Sequence, residues 1–388
     1  VVLLRFWRLD VPNEKVFDEV YYPKWAAEYL QGQTPYDVHP PLVKLLIAGS
    51  EIFLGDTTLA WRIIPAIFGS IIVILTYLVA KQLFKDKIIA MFSAFLIAFD
   101  GLFFVLSRIA IMEVFVMFFG ILSIFCFWQY ANSEKRNLGW LIATGFSLGF
   151  AISCKWTGLA IWLLLIVWTF FRWKDFNQNN KINTYFFVFN FIVIPLIIYL
   201  GSFLLWYHGT IQFWPKLIKW HQDAFNFHAN LAATHPYSSR WWSWPLLVRP
   251  VWFYYQSQNN MVYGIIALGN PMIWWLGLVS LFWSAWYFIK SKIKNEALLF
   301  CFFGFLFTYL PWMFVKRIEF NYYYLPCLFF EILILSFFLK YFFDKNKKIV
   351  IGYLFLILIV FLFFYPILSN LPITNSFYNI HIWFKNWI

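Results

Sequence analysis

Residues 60–84 read AWRIIPAIFGSIIVILTYLVAKQLF. Between Arg62 and Lys81 this stretch holds no charged side chain. Its length matches the ~20 apolar residues that a helix needs to cross the hydrocarbon core of a bilayer. Runs of similar character follow near 88–107, 110–130, 138–154, 157–172, 184–207, 271–289, 297–315, 321–340 and 349–369. Together they make ten spans. Val1–Leu9 is apolar but too short to cross, and reads as the outer end of a first helix that begins before this sequence. Hydrophobic residues make up 62 % of the chain and charged residues 12 %, with a mean hydropathy of +0.68. A soluble domain is excluded. The expected fold is an all-α polytopic membrane protein of about 11 transmembrane helices, the first one truncated.

The net charge of +12 does not point to nucleic acid, because of where the basic residues lie. They gather in short loops: Lys81, Lys85 and Lys87; Lys135 and Arg136; Arg172, Lys174 and Lys181; Lys290, Lys292 and Lys294; Lys340, Lys345, Lys347 and Lys348. Such loops face the cytoplasm. The long segments 10–59 and 208–270 then lie outside, with all six histidines in outer segments. Stretches 20–31 and 41–54 mix apolar and polar residues and read as amphipathic helices in the membrane interface. The four cysteines lie in or at the ends of apolar runs, without metal or disulfide spacing. They read as packing residues.

Acids are scarce, 18 in the chain, yet 8 fall within the first 56 residues: Asp10, Glu14, Asp18, Glu19, Glu28, Asp37, Glu51 and Asp56. Carboxylates beside a lipid phase point to chemistry or ion handling. A carboxylate within reach of a hydroxyl can serve as general base. Arginine can hold a phosphate through paired, charge-assisted hydrogen bonds. Arg108, at an outer span end, is a candidate, with Asp100 two helical turns inward. Lys155, Lys316 and Arg317 also reach the outer face. A pocket with acids on one side and cations on the other suits a lipid-phosphate donor and a neutral hydroxyl acceptor.

Six motifs then follow one another in order: Phe17-Asp18-Glu19-Val20, Asp37-Val38-His39-Pro40-Pro41-Leu42, Trp61-Arg62-Ile63-Ile64-Pro65-Ala66, Ser107-Arg108-Ile109-Ala110, Lys155-Trp156-Thr157-Gly158 and Ser239-Arg240-Trp241-Trp242-Ser243-Trp244-Pro245. This set resembles the protein O-mannosyltransferase family, in its bacterial form without MIR domains. Gly269-Asn270-Pro271 and Asn321-Tyr322-Tyr323-Tyr324-Leu325-Pro326 resemble its C-terminal four-helix region. The resemblance implies a GT-C type membrane glycosyltransferase. Residues 1–250 would form the catalytic transmembrane region with its first outer loop, and 251–388 the four-helix region. The implied reaction moves mannose, with inversion, from polyprenyl (dolichyl-type) phosphate mannose to Ser or Thr hydroxyls. The acceptors would be exported proteins, delivered by the secretion machinery at the outer face of the cell membrane.

By the same resemblance, Asp18 matches the base and Glu19 a supporting acid. Arg108 and Lys155 match donor phosphate-binding positions. Asp37, His39, Arg62, Asp100, Glu113 and Arg240 would shape the cleft. Glu113 departs from the family pattern, where an Asp is expected. The reaction requires no cofactor beyond the lipid-linked donor. Asp18, Glu19, Asp37 and His39 could hold a hard divalent cation, but their spacing is not diagnostic and the chemistry does not need one. Two other readings compete. An aminoarabinose-type glycosyltransferase acting on a lipid or glycan would share the outer Asp-Glu loop. A transporter would use membrane-edge acids for ion coupling, but would leave the ordered motifs unexplained.

Overall fold

The computed structural model describes residues 2–133, 137–173, 184–209, 212–291 and 295–388. Lys135, Arg136, Lys174, Lys181, Lys292 and Lys294 of the basic loops lie outside the described residues. A short helix α1 (Val2–Phe6) precedes the acidic loop, which carries α2 (Tyr22–Leu30) and α3 (Leu42–Leu54). These two are the expected amphipathic segments. The apolar runs then appear as helices: α4 (Thr58–Phe84), α5 (Lys87–Ala98), α6 (Gly101–Leu106), α7 (Glu113–Asn132), α8 (Leu138–Cys154) and α9 (Gly158–Phe171). After them come α10 (Thr184–Val188), α11 (Ile194–Trp206) and α12 (Phe213–Asn230). The carboxy-terminal part holds α13 (Pro271–Ser291), α14 (Glu296–Tyr309), α15 (Leu325–Lys345), α16 (Lys347–Leu368) and α17 (Asn375–His381).

Among the described residues, seven helices are long and apolar enough to cross a membrane, and α5, α8 and α9 are shorter apolar helices. Polar caps set several boundaries. Thr57 accepts from Ala60 N, Asp86 from the N–H groups of Ile88 and Ile89, and Asn346 from those of Lys348 and Ile349. Each supplies one of the acceptors that a helix N-terminus lacks. The expected span 88–107 is broken, because Asp100 caps α6 and so ends α5 two residues earlier. Most of α7 and α15 is buried, and α15 packs against α5, α13, α14 and α16.

Two features differ from the all-helical expectation. β1 (Val251–Gln258) and β2 (Met261–Ala267) form an antiparallel hairpin, and β3 (Ile373–Thr374) adds to β2. Asn259 and Asn260 take φ of 51° and 60°, the left-handed pair that a two-residue hairpin turn needs. The second feature is a five-residue π-turn, Phe189–Val193, between α10 and α11.

Lys340 Nζ lies 3.7 Å from Asp86, linking α15 to the turn before α5, and Arg172 pairs with Glu296, linking the end of α9 to the start of α14. Helix α12 is tied to the acidic loop, where Trp220 Nε1 donates to Asp37 O at 2.5 Å.

Candidate active site

The acidic pair sits on a single 3-10 turn, Phe17–Val20, and the two side chains have separate fates. Glu19 is fully buried. It accepts from Val16 N (3.0 Å), Ala110 N (2.8 Å), Arg62 Nε (2.9 Å) and Arg62 Nη2 (2.7 Å). The other Arg62 donors reach Leu9 O, Pro12 O and Glu14 O. All five donors of the guanidinium are therefore engaged. Glu19 and Arg62 fasten the acidic loop to α4 and to the turn before α7. Arg62, expected in the cleft, is part of this fastening.

Asp18 is half-buried and points elsewhere. Burial and the Glu113 carboxylate push its pKa up to about 7, against the pull of the Lys155 ammonium and a hydrogen bond from the Tyr322 hydroxyl. Glu113 opens α7, in the first turn, where the helix dipole favours a negative charge. Its Oε1 accepts from Lys155 Nζ at 2.8 Å. Lys155 caps the end of α8 in an extended conformation, which leads its side chain back across the bundle. The Nζ also stands 4.6 Å from the centre of the Tyr323 ring.

Asp37 is buried and paired with Lys44, whose Nζ also donates to His39 O at 2.9 Å. This pair shapes the Pro40-Pro41 turn and presents the His39 ring. The His39 ring lies 5.3 Å from that of His228. Burial, followed by Lys155 and His228, holds the His39 pKa well below the usual imidazole range. Burial and then Arg317 bring that of His228 down to about 4. Both rings are neutral at pH 7.

Glu113, Lys155, His39 and His228 meet at a cavity of about 700 Å³, whose lining does not include Asp18 or Asp37. Its polar end is lined by His39, Glu113, Lys155, His228, Arg317 and Tyr323. Its other arm is apolar and runs between α9 and the end of α14, past Leu159, Leu163, Phe307, Pro311 and Phe314. Leu159 and Leu163 are each 42 % exposed and Phe314 75 %, so this arm opens onto the apolar outer surface of the helices. A smaller cavity of about 320 Å³, lined by Ser239, Arg240, Lys316, Arg317 and Glu319, adjoins it through Lys316 and Arg317.

The structure does not bring all the expected residues together. Arg108 is turned away from the large cavity. Its Nη1 donates to the carbonyls of Leu4 (2.6 Å), Arg5 (3.0 Å) and Trp7 (2.9 Å), and Nη2 to Arg8 O (3.1 Å). Its fork is spent on the turn after α1. Asp100 is also remote, accepting from Phe103 N, Asn270 N and Trp274 Nε1 at the break between α5 and α6. The four residues considered for a hard cation are not gathered, since Glu19 is committed to Arg62 and Asp37 to Lys44. Among the described residues, no group of three or more His, Cys, Asp or Glu stands ready to hold a metal. Lys44, Tyr322 and His228 were not singled out from sequence. Lys44 lies in the first turn of α3, just past the Pro40-Pro41 turn that follows Asp37, and no regular spacing in the sequence announces the pair.

Comparison with known proteins bears on the family and the fold. A family model described as dolichyl-phosphate-mannose-protein mannosyltransferase matches residues 1–208, and one for the C-terminal four-span region of protein O-mannosyltransferase matches residues 213–387. A polyprenol-phosphate-mannose–protein mannosyltransferase of Mycolicibacterium smegmatis is 26 % identical over 99 % of this chain and 90 % of its own length. The Corynebacterium glutamicum protein of that name is 24 % identical over 90 % of this chain and 81 % of its own. The fold matches a chain of the S. cerevisiae protein O-mannosyltransferase Pmt1–Pmt2 complex bound to the sugar donor. There the TM-score is 0.90 and the identity 17 %, covering all of this chain and 91 % of that one. ArnT of Cupriavidus metallidurans, bound to undecaprenyl phosphate, is a more distant fold match, with TM-score 0.64 and 14 % identity over 87 % of this chain and 58 % of that one. With both family models together spanning nearly its whole length, this membrane-embedded glycosyltransferase belongs to the dolichyl-phosphate-mannose–protein mannosyltransferase family.

Proposed function

We propose that the protein transfers mannose from polyprenyl phosphate mannose to Ser or Thr hydroxyls of exported proteins, at the extracytoplasmic face of the cell membrane. The observation that carries this reading is the Lys155–Glu113 pair at the polar end of a cavity whose other arm is apolar, with Asp18 near enough for its carboxyl to feel both charges. The apolar arm suits a polyprenyl chain, and the cations at its head suit a phosphate.

In the proposed step, Asp18 accepts the proton of the acceptor hydroxyl while that oxygen attacks C1 of the mannose. The bond from C1 to the phosphate oxygen breaks on the opposite face, so the anomeric centre inverts. The phosphate leaves as a dianion, neutralised by Lys155 and Arg317 rather than by Arg108. A leaving group stabilised in this way needs no strong general acid. His39 and His228, both neutral, offer hydrogen bonds without adding charge. Glu113 holds Lys155 in place. Residues 1–250 supply the base and most of the phosphate site, and 251–388 supply Arg317, Tyr322 and Tyr323. No divalent cation takes part in this scheme.

The test uses membranes containing the full chain, radiolabelled polyprenyl phosphate mannose and a Ser/Thr peptide. Alkali-labile sugar on the peptide is the expected product. General bases contribute roughly 10²–10⁴-fold, so Asp18→Asn should lose turnover by about that factor while still binding donor. An Asp18→Asn enzyme with the wild-type rate would sink the assignment.

A further inference from the structure

Apart from Arg317, the smaller cavity is not used in the scheme above. One wall is the extended segment 231–234, and the other is the segment 316–319 between α14 and α15. Among the described residues, the backbone N–H groups of Ala232, Ala233 and Thr234 donate to no backbone carbonyl, nor do those of Lys316, Arg317 and Ile318. The two walls are joined where Ser239 N donates to Glu319 O at 2.9 Å, and beyond that bond both segments keep backbone donors unused by other backbone.

A second observation concerns Glu319. Its side chain is 2 % exposed, and Oε2 accepts from Trp241 N at 3.3 Å, yet Oε1 has no partner. Beside it, Ser239 Oγ is also without a partner. A buried polar atom left unpaired is costly, and here it lines a cavity open to a ligand. At the rim, the side chains of Arg240, Lys316 and Arg317 form no ion pair among the described residues.

The chain at the far end of both walls packs against the turn that carries the reacting carboxylate, with the rings of His235 and Phe320 themselves 5.2 Å apart. His235, just past the first wall, has its ring 6.4 Å from that of Phe17, and Phe320, just past the second, 6.1 Å. Phe17 immediately precedes Asp18 on the 3-10 turn.

Resting on the function proposed above, we infer that this gap is the acceptor channel, and that it takes an extended polypeptide whose residues flanking the Ser or Thr are acidic. The polypeptide pairs its backbone with the open edges, as a strand adds to an exposed edge. One of its N–H groups donates to Glu319 Oε1. Arg240 and Lys316 attract carboxylates on either side of the hydroxyl, and Arg317, shared by both cavities, sets acceptor beside donor.

The experiment compares three Ser/Thr peptides of equal length, flanked by Asp, by Lys, or by Asp with two N-methylated amides. Each is assayed with membranes containing the wild-type, Arg240→Glu or Glu319→Gln chain. Peptide KM and donor KM are measured separately. Reversing one exposed charge should swing the ratio of peptide KM values by about fivefold. The expected result is a lower KM for the Asp peptide with wild type, a preference shifted toward the Lys peptide in Arg240→Glu, and weakened binding of the N-methylated peptide. Glu319→Gln should raise peptide KM while leaving donor KM in place. Arg240 is an exposed residue, so its variant remains informative if Glu319→Gln fails to fold. Transfer to all peptides with equal KM, unchanged in Arg240→Glu and by N-methylation, would overturn the channel and leave the enzymatic reading intact. Absence of transfer by the wild-type chain to every peptide would instead overturn the function on which the channel rests.

Discussion

At the scale of single residues, neighbouring carboxylates do different work because their surroundings differ. Glu19 is held in charge-assisted hydrogen bonds to Arg62, whereas Asp18 lies within the field of the Glu113 carboxylate and the Lys155 ammonium. Burial and Glu113 raise the Asp18 pKa from 3.8 to about 7, and the ionised form is the one that accepts a proton. The free-enzyme kcat/KM should therefore rise about tenfold per pH unit below pH 7 and level off above it. Tyr322 donates to the ionised form, so Tyr322→Phe should move this inflection to higher pH. A flat profile between pH 5 and 8 would remove Asp18 as the base. The cations divide in the same way. Arg108 has its four bonds to carbonyls, and Arg317 forms no ion pair among the described residues. A lost charge-assisted hydrogen bond costs ~1.5–3 kcal/mol. Arg317→Gln should thus raise donor KM at least about tenfold, while Arg108→Lys should lower thermal stability and leave donor KM near wild type. The reverse pattern would return phosphate binding to Arg108. The ordered motifs name the candidate residues, but Arg108 turns to the carbonyls after α1 while Lys155 pairs with Glu113. Sequence could not tell which acid meets which cation, because that depends on how side chains cross between helices far apart in the chain.

At the scale of elements, the spans were legible because each is a long apolar run, and length alone separates a crossing helix from a buried strand. The break at Asp100 was not, as an apolar run hides a single residue whose carboxylate caps a new helix. The hairpin β1–β2 was missed although Asn259-Asn260 stands between runs rich in Val, Tyr and Trp, a recognised turn signature. The surrounding aromatic residues read equally well as an interfacial belt. Helix contact depends on a small-residue step that sequence also contained. A Cβ on Gly145 would stand 2.4 Å from Asn190 O, and one on Gly149 2.7 Å from Ile198 Cβ. These two glycines, one turn apart, let α8 lie against the π-turn and α11. The atom facing Gly145 is backbone and cannot swing away. Gly145→Ala should therefore destabilise the protein by about 1–3 kcal/mol, read as an earlier thermal unfolding in detergent. An unchanged midpoint would mean that the π-turn yields without cost.

At the scale of the whole molecule, the acidic loop, α12 and the hairpin should share one side of the membrane, with the basic turns on the other. Gln33 and Asn346 are both exposed, one in the acidic loop and one in the turn between α15 and α16. The four native cysteines are buried, so background labelling should be low. Single cysteines at Gln33 and Asn346 should react with an impermeant reagent from opposite sides, Gln33 from outside. Reaction of both from one side would contradict the proposed orientation and the access of exported acceptors.

The apolar arm beside α9, with Leu159, Leu163 and Phe314 exposed along it, has a kinetic meaning. A donor that enters there is dissolved in a two-dimensional solvent, so saturation follows its mole fraction among lipids rather than its molarity in the tube. The acceptor, arriving from water, obeys ordinary concentration. Adding inert lipid or detergent at constant donor thus dilutes one substrate and not the other, and the enzyme slows as its surroundings swell.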